Sequence, residues 1–369
     1  MKNLSKYITV GFFFGFIFIF PIVTLITPDK KINEIENKIL TQLPKLSFEN
    51  IKDKSFMSQF DKYTSDQFPL RSSFIELKNS YSKLIGQKEF RNIYVGKNGK
   101  FIEKFIYNQN IVDGNLITLI DLSNKLKSKF NVTTKLMLIP TSVAFYEDEL
   151  PSWSINDNQK SVIKYINSTI KNNKNLKFYT PYNILNKNKD KYIYFNTDHH
   201  WTQLGAKLAY EDMYDTKVLS NPTKVSDNFY GSYYSKALLP NIKGDTIYSY
   251  NDYNNFNIKI DFSEEYSTLY GKDKLKGKNK YQYFLHGDPA FAVIKGNPNS
   301  NNEILIFKDS YAHNFVPFLT SNYRKIHIVD PRYYNIDYEE YLSNNKSISE
   351  VLFINNMQTF NSTSIIKNK

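Results

Sequence analysis

Four short, largely apolar runs constrain what this chain can fold into: residues 135–139 (Lys-Leu-Met-Leu-Ile), 304–307 (Ile-Leu-Ile-Phe), 326–329 (Ile-His-Ile-Val) and 351–354 (Val-Leu-Phe-Ile). Each is too short for a buried helix, each stops at a proline or a polar residue, and helical periodicity recurs between them. Strands apolar at successive positions have both faces covered, and strands that alternate with helices pair in parallel. The pattern predicts a doubly wound α/β domain, with helices over about 115–130, 160–173, from Thr202 onward, 311–322 and 338–342. Further short strands are expected near Phe178 and over 192–195, and Asn98-Gly99 supplies the positive φ angles of a hairpin across 92–103.

Between about 217 and 300 the alternation fails and Tyr, Asn, Gly and Lys dominate, which predicts a cap inserted into the sheet domain with few strands of core length. At the other end, residues 7–26 carry no charge, and at helical rise these twenty residues span about 30 Å, the thickness of a bilayer core. A single transmembrane helix fits. No small-x-small cleavage site precedes Pro28, so the expectation is an uncleaved anchor with the following domain outside the cytoplasm. The organisation is then a signal-anchor over 1–27, a polar stem over 28–90, and a catalytic domain over 91–369. The net charge of +12 comes from lysines dispersed along the chain without a basic block or nucleic-acid motif, which argues against a nucleic-acid partner. With no cysteine, thiol nucleophiles, thiolate metal sites and disulfides are excluded.

In open α/β sheets the site lies beyond the carboxyl ends of the strands. There the sequence places Thr141-Ser142, Asp198-His199-His200, Asp309-Ser310, Asp330-Pro331-Arg332 and Asn355-Asn356. Ser310 sits at a strand-to-helix turn, where its own N–H is available to an oxyanion. His200 is the residue type that can remove its proton near neutrality, and Asp198 can fix the imidazole tautomer. Plainer readings stand beside this one. A serine after a strand is commonly a helix cap, Asp198 suits a turn, and adjacent histidines suit an exposed loop or a metal.

The run Thr197-Asp198-His199-His200-Trp201-Thr202 resembles the signature of the DHHW family, related to the alginate O-acetyltransferase group of SGNH-like proteins. Residues 304–318 resemble that family's serine segment, and further similarity at 95–99, 139–151 and 330–334 extends it, in order, over about 92–356. The resemblance implies that Ser310 is the nucleophile, His200 the general base and Asp198 its orienter, with His199 a structural extra. Trp201 is expected to pack beneath the loop. Two departures are visible: Lys308 stands where Gly commonly precedes Asp-Ser, and the serine follows the Asp/His pair. That order implies a permuted SGNH-like sheet and leaves the second oxyanion donor unassigned.

The resemblance implies an O-acetyltransferase that modifies hydroxyls of a cell-surface or secreted polysaccharide, with a membrane-bound O-acyltransferase as partner and neither cofactor nor metal. Arg332, Tyr311 and Asn355, on the same rim, are the candidate substrate-binding residues. The rival readings are a carbohydrate acetylesterase with the same triad, and a non-catalytic glycan-binding or scaffold protein of a polysaccharide-modification complex. A metallophosphoesterase would need a second acidic cluster at ligand spacing, which the sequence lacks.

Overall fold

The structure is a computed structural model that describes residues 2–250 and 254–366; residues 251–253 of the expected cap lie outside the described residues. The chain forms two compact units, Met1–Gln87 with Ser235–Ile242, and Lys88–Tyr234 with Lys243–Lys369.

The first unit contains the helix Lys2–Ile26, in which Lys6–Thr24 is long and apolar enough to cross a membrane. Helices Ser55–Asp66 and Arg71–Leu84 follow. Buried Asp66 ties this unit together, accepting from Lys38 Nζ (2.5 Å) and from both the N–H and hydroxyl of Thr41 (3.0 Å each).

The second unit is built on an eight-stranded sheet. Its strands in chain order are β1 (Thr133–Ile139), β2 (Leu176–Tyr179), β3 (Asn254–Ile260), β4 (Glu264–Thr268), β5 (Phe291–Lys295), β6 (Glu303–Lys308), β7 (Lys325–Val329) and β8 (Ile348–Asn356). They are arranged β4-β3-β5-β7-β6-β8-β1-β2. The five strands from β7 to β2 are mutually parallel, whereas β5, β3 and β4 add on antiparallel beside β7. All six residues of β6 are buried, as a strand covered on both faces requires. Helix Gln109–Phe130, capped by Asn108, packs on β1 and β2. Helix Gln159–Ile170 is capped by Asn158, and helix Gln203–Tyr214 opens on Thr202 as expected.

Three expectations are corrected. The inserted region does interrupt the strand-helix alternation, yet it supplies three strands to the main sheet and a separate antiparallel pair, Thr223–Phe229 with Asp245–Ser249. Residues 192–195 are not a sheet strand. They form one arm of a small loop closed by Phe195 N–H to His200 O (3.3 Å) and Thr202 N–H to Ile193 O (2.9 Å), and Ile193, Tyr194 and Phe195 are apolar because that arm is buried. The helix expected over 311–322 is broken into a 3-10 turn, Ser310–Asn314, and the short helix Val316–Leu319. Pro317 lacks the N–H that a continuous helix would use and restricts the residue before it.

Candidate active site

The loop of residues 192–202 is fastened to the carboxyl end of the sheet at several points. Tyr194 Oη donates to Pro140 O just beyond β1 (2.5 Å), and Trp201 Nε1 donates to Tyr311 O on the turn after β6 (2.8 Å). Asn314 Nδ2 returns a bond to Trp201 O (2.9 Å), and Tyr311 Oη donates to His199 O. Trp201 is fully buried, so it packs beneath the loop and is unavailable to a ligand. Gly205, at the start of the next helix, lets the chain pass Ile193 O, which a Cβ there would meet at 2.7 Å.

The turn after β6 separates two tasks that one serine could have shared. Asp309 is the N-cap: its Oδ1 accepts the Tyr311 N–H (2.9 Å), while its Oδ2 accepts from the Asn356 N–H and Nδ2 at the end of β8 (2.7 Å each). Ser310 therefore stands at the first position of the turn with its hydroxyl released from capping. The first N–H groups of such a turn have no partner within it.

Ser310 Oγ lies 2.8 Å from His200 Nε2, and His200 Nδ1 lies 2.5 Å from Asp198 Oδ1. The second Asp198 oxygen accepts the Ser232 N–H (2.7 Å). Burial alone would raise the Asp198 carboxyl, but the flanking His199 and His200 outweigh it and hold the group well below the usual carboxylate range. Burial, and then the His199 charge, push His200 down to about 4 against the opposing pull of Asp198. At neutral pH the aspartate is ionised and the imidazole neutral. Nδ1 is then the donor to Asp198, and Nε2 accepts from the Ser310 hydroxyl. Asp198, His199 and His200 offer ligand-type atoms within 4.8 Å of one another. A metal there would have to displace His200 from Asp198 or from Ser310.

A family model described as "DHHW protein" matches residues 88–329 of the chain. The chain belongs to the DHHW family. Solved structures similar to it include these three. A DHHW family protein from Eubacterium siraeum is 20% identical with a TM-score of 0.63, covering 76% of this chain and 98% of that one. Bacillus cereus PatB1 bearing a sulfonyl adduct is 19% identical with a TM-score of 0.61, covering 75% and 98%. A second structure of Bacillus cereus PatB1 is 21% identical with a TM-score of 0.60, covering 75% and 99%. No curated protein sequence matches the chain.

Lys308, the departure at the DHHW serine segment, is fully buried. Its Nζ donates to Asp330 Oδ2 (2.9 Å) and to His313 Nε2 (2.8 Å). The candidate substrate-binding residues fare differently from one another. Arg332 grips Asp330 with two bonds (2.8 and 2.7 Å) and keeps a third of its side chain exposed. Tyr311 is fully buried with its hydroxyl on His199 O, which corrects its assignment to substrate contact. Asn355 is 5% exposed and its Oδ1 has no hydrogen-bond partner among the described residues.

Two residues of the DHHW site were not identified from sequence. Gly231 lies against Asp198, and its N–H donates to Thr197 Oγ1 (3.2 Å). Asp245, buried on the inserted antiparallel pair, accepts from the Asn196 N–H (2.8 Å), the Thr197 N–H (2.7 Å), Thr197 Oγ1 (2.6 Å) and Tyr192 Oη (2.6 Å). It thereby carries the base of the DHHW loop. An asparagine would turn an NH2 group toward donors, so Asp245→Asn is expected to cost about 3 kcal/mol of stability, read from denaturant midpoints. An unchanged midpoint would show that Asp245 does not hold the loop.

Proposed function

We propose that the protein is an extracytoplasmic serine O-acyltransferase of permuted SGNH type, which takes an acetyl group onto Ser310 and passes it to a hydroxyl of a cell-surface or secreted polysaccharide. The observation that carries this reading is the unbroken line from Ser310 Oγ through His200 to Asp198, at 2.8 and 2.5 Å. Ser310 Oγ attacks the donor carbonyl as His200 Nε2 takes its proton. The oxyanion forms beside the Ser310 N–H, and the donor leaves with the proton returned by His200. A sugar hydroxyl then gives its proton to the same nitrogen and attacks the acyl-serine, and His200 passes that proton to Ser310 Oγ as the ester bond to the serine breaks. DHHW membership supports the assignment, as does the fold shared with PatB1, whose sulfonyl adduct suggests a probe.

Full-length protein treated with p-nitrophenyl acetate should carry the acetyl group on the peptide containing Ser310, and a sulfonyl fluoride should block that labelling. Acetylation elsewhere, or none, would remove the assignment. Adding oligosaccharide acceptors separates transfer from hydrolysis, because an acetylesterase would release acetate at the same rate with and without them. Acylation requires neutral His200. Because its protonation is displaced downward, the rate should hold through the region near pH 6.5 where free imidazole protonates, and fall only as the pH approaches 4. A loss of rate centred near 6.5 would contradict the buried environment of the base.

The apolar helix supports anchoring in the membrane, with a membrane-bound O-acyltransferase as the acyl supplier. Full-length protein should sediment with membranes, and protease added to intact cells should cut the chain after Pro28. Cytosolic, uncleaved and protected protein would reverse the topology.

A further inference from the structure

His200 is sandwiched between two rings. His199 covers one face (centroids 3.7 Å, planes 38° apart), and Tyr281 covers the other with its ring nearly parallel (centroids 3.6 Å, planes 8° apart). Aromatic pairs ordinarily keep their centroids 4.5–7 Å apart, so the Tyr281 contact is unusually close. Tyr281 is 3% exposed and lies on the 3-10 turn Lys280–Tyr283 of the inserted region. That turn is fastened by Lys280 Nζ to Asp227 O (2.7 Å). The Tyr281 hydroxyl donates to Ser310 O (3.0 Å), so one side chain touches both the base and the backbone of the nucleophile.

We propose that Tyr281 is a positioning residue for His200: its ring holds the imidazole in line with Ser310, and its π face stabilises the imidazolium that forms when His200 takes the serine proton. The proposal rests on the catalytic reading above.

Three observations support it. A neutral phenol presents a negative ring face, and a desolvated cation over such a face is attracted to it. Tyr281 stays neutral, because burial and the charges of Asp198, Asp288 and Asp309 hold its hydroxyl well above the ordinary phenol range. Behind it, His313 lies 6.0 Å away with its plane 25° from that of Tyr281. Burial and the Lys308 cation, which donates to its Nε2, keep His313 uncharged, so no cation there competes for the ring. The groups facing His200 are Asp198 and His199 from its own loop, Ser310 and Tyr311 from the serine turn, and Tyr281 from the insertion, with Asp288 acting through its charge. Among the described residues, only Tyr281 sets a ring parallel to the imidazole.

The test separates the ring's charge distribution from its bulk. In full-length protein, Tyr281→Phe is compared with phenylalanines bearing one, three and five fluorines at the same position, which keep the shape while draining the ring face. Histidine-labelled protein is titrated by NMR from pH 8 downward, and Ser310 acylation by p-nitrophenyl acetate is timed at pH 7.5. The His200 midpoint should fall stepwise by about one pH unit across the series, while those of His286 and His327 stay put. The acylation rate should fall about tenfold in the same order, since a base already neutral at pH 7.5 gains nothing from a lower midpoint. Tyr281→Phe, which loses the bond to Ser310 O but keeps the ring, is the reference point of the fluorinated series. A flat His200 midpoint and a flat rate across the fluorinated series would reduce Tyr281 to packing and overturn the proposal. If the protein unfolds in acid before His200 titrates, the rate series decides. If Ser310→Ala is acylated as fast as the unaltered protein, the catalytic reading falls, and the His200 titration still decides Tyr281 by itself.

Discussion

Ser310→Ala is expected to lower acylation by an activated acetyl ester by about 10⁵-fold or more, to the level left by the environment alone, with the folded state intact. The argument is local. Among the described residues the hydroxyl makes a single hydrogen bond, to His200, while Asp309 holds the cap of the turn and its bond to Asn356 at the end of β8. Removing one oxygen that braces nothing else should leave the unfolding midpoint nearly unchanged. Asp198→Asn should cost about 10⁴-fold, because an amide in place of the carboxylate favours the wrong imidazole tautomer. His199→Ala should be mild, below about tenfold, as its Nδ1 bonds Ser232 Oγ (2.7 Å) and not the nucleophile. If His199→Ala proved as damaging as His200→Ala and added metal restored the rate, a metal-dependent reaction would replace the serine mechanism.

Gly231→Ala is expected to lower acylation by about 10²-fold or more although Gly231 bears no reactive group. A Cβ at that position would lie 2.2 Å from Asp198 Cβ and 2.3 Å from Asp198 Oδ2. Neither side can yield cheaply. Asp198 is pinned by His200 and by the Ser232 N–H, and the Gly231 N–H is itself held by Thr197 Oγ1. Insertion of a methyl into a filled site typically costs about 1–3 kcal/mol. Relief must come from moving the carboxylate bonded to His200, and on the proposed mechanism displacements near 1 Å cost about 10²-fold in rate even when nothing else changes. Acylation rate and unfolding midpoint measured together check this. A Gly231→Ala protein with more than a tenth of the original rate would show that the Asp198 backbone can slide.

Much of the sheet could be read from residues 135–139, 304–307, 326–329 and 351–354, because strands covered on both faces are apolar at almost every position. Ser310, His200 and Asp198 stood out because they follow strand or loop ends and because histidine is scarce, with five in the chain. The inserted strands were missed for a physical reason: Phe256, Ile258 and Ile260 alternate with polar residues, the period of an antiparallel strand with one wet face. That alternation was the available signal. Asp245 and Tyr281 left no such trace. Each acts across dozens of residues of intervening chain, and an aspartate or tyrosine in a Tyr- and Asn-rich stretch looks like any other. The run 192–195 misled because three successive buried apolar residues, Ile193 to Phe195, look the same in a strand as in a tight loop.

Strand β8 enters the sheet last in chain order yet lies near its middle, with Val351 paired to Leu305 on one side and to Thr134 on the other. Until residues 348–356 have been synthesised, β1 and β2 cannot be joined to β6 and β7. About two hundred residues of chain must therefore be held open for the final pairing, a high-contact-order closure of the kind that folds slowly and leaves strand edges bare in the meantime. Completion of the sheet is therefore timed by the arrival of residues 348–356. A protein shortened before Ile348 would expose the facing edges of β1 and β6 to any other extended chain nearby.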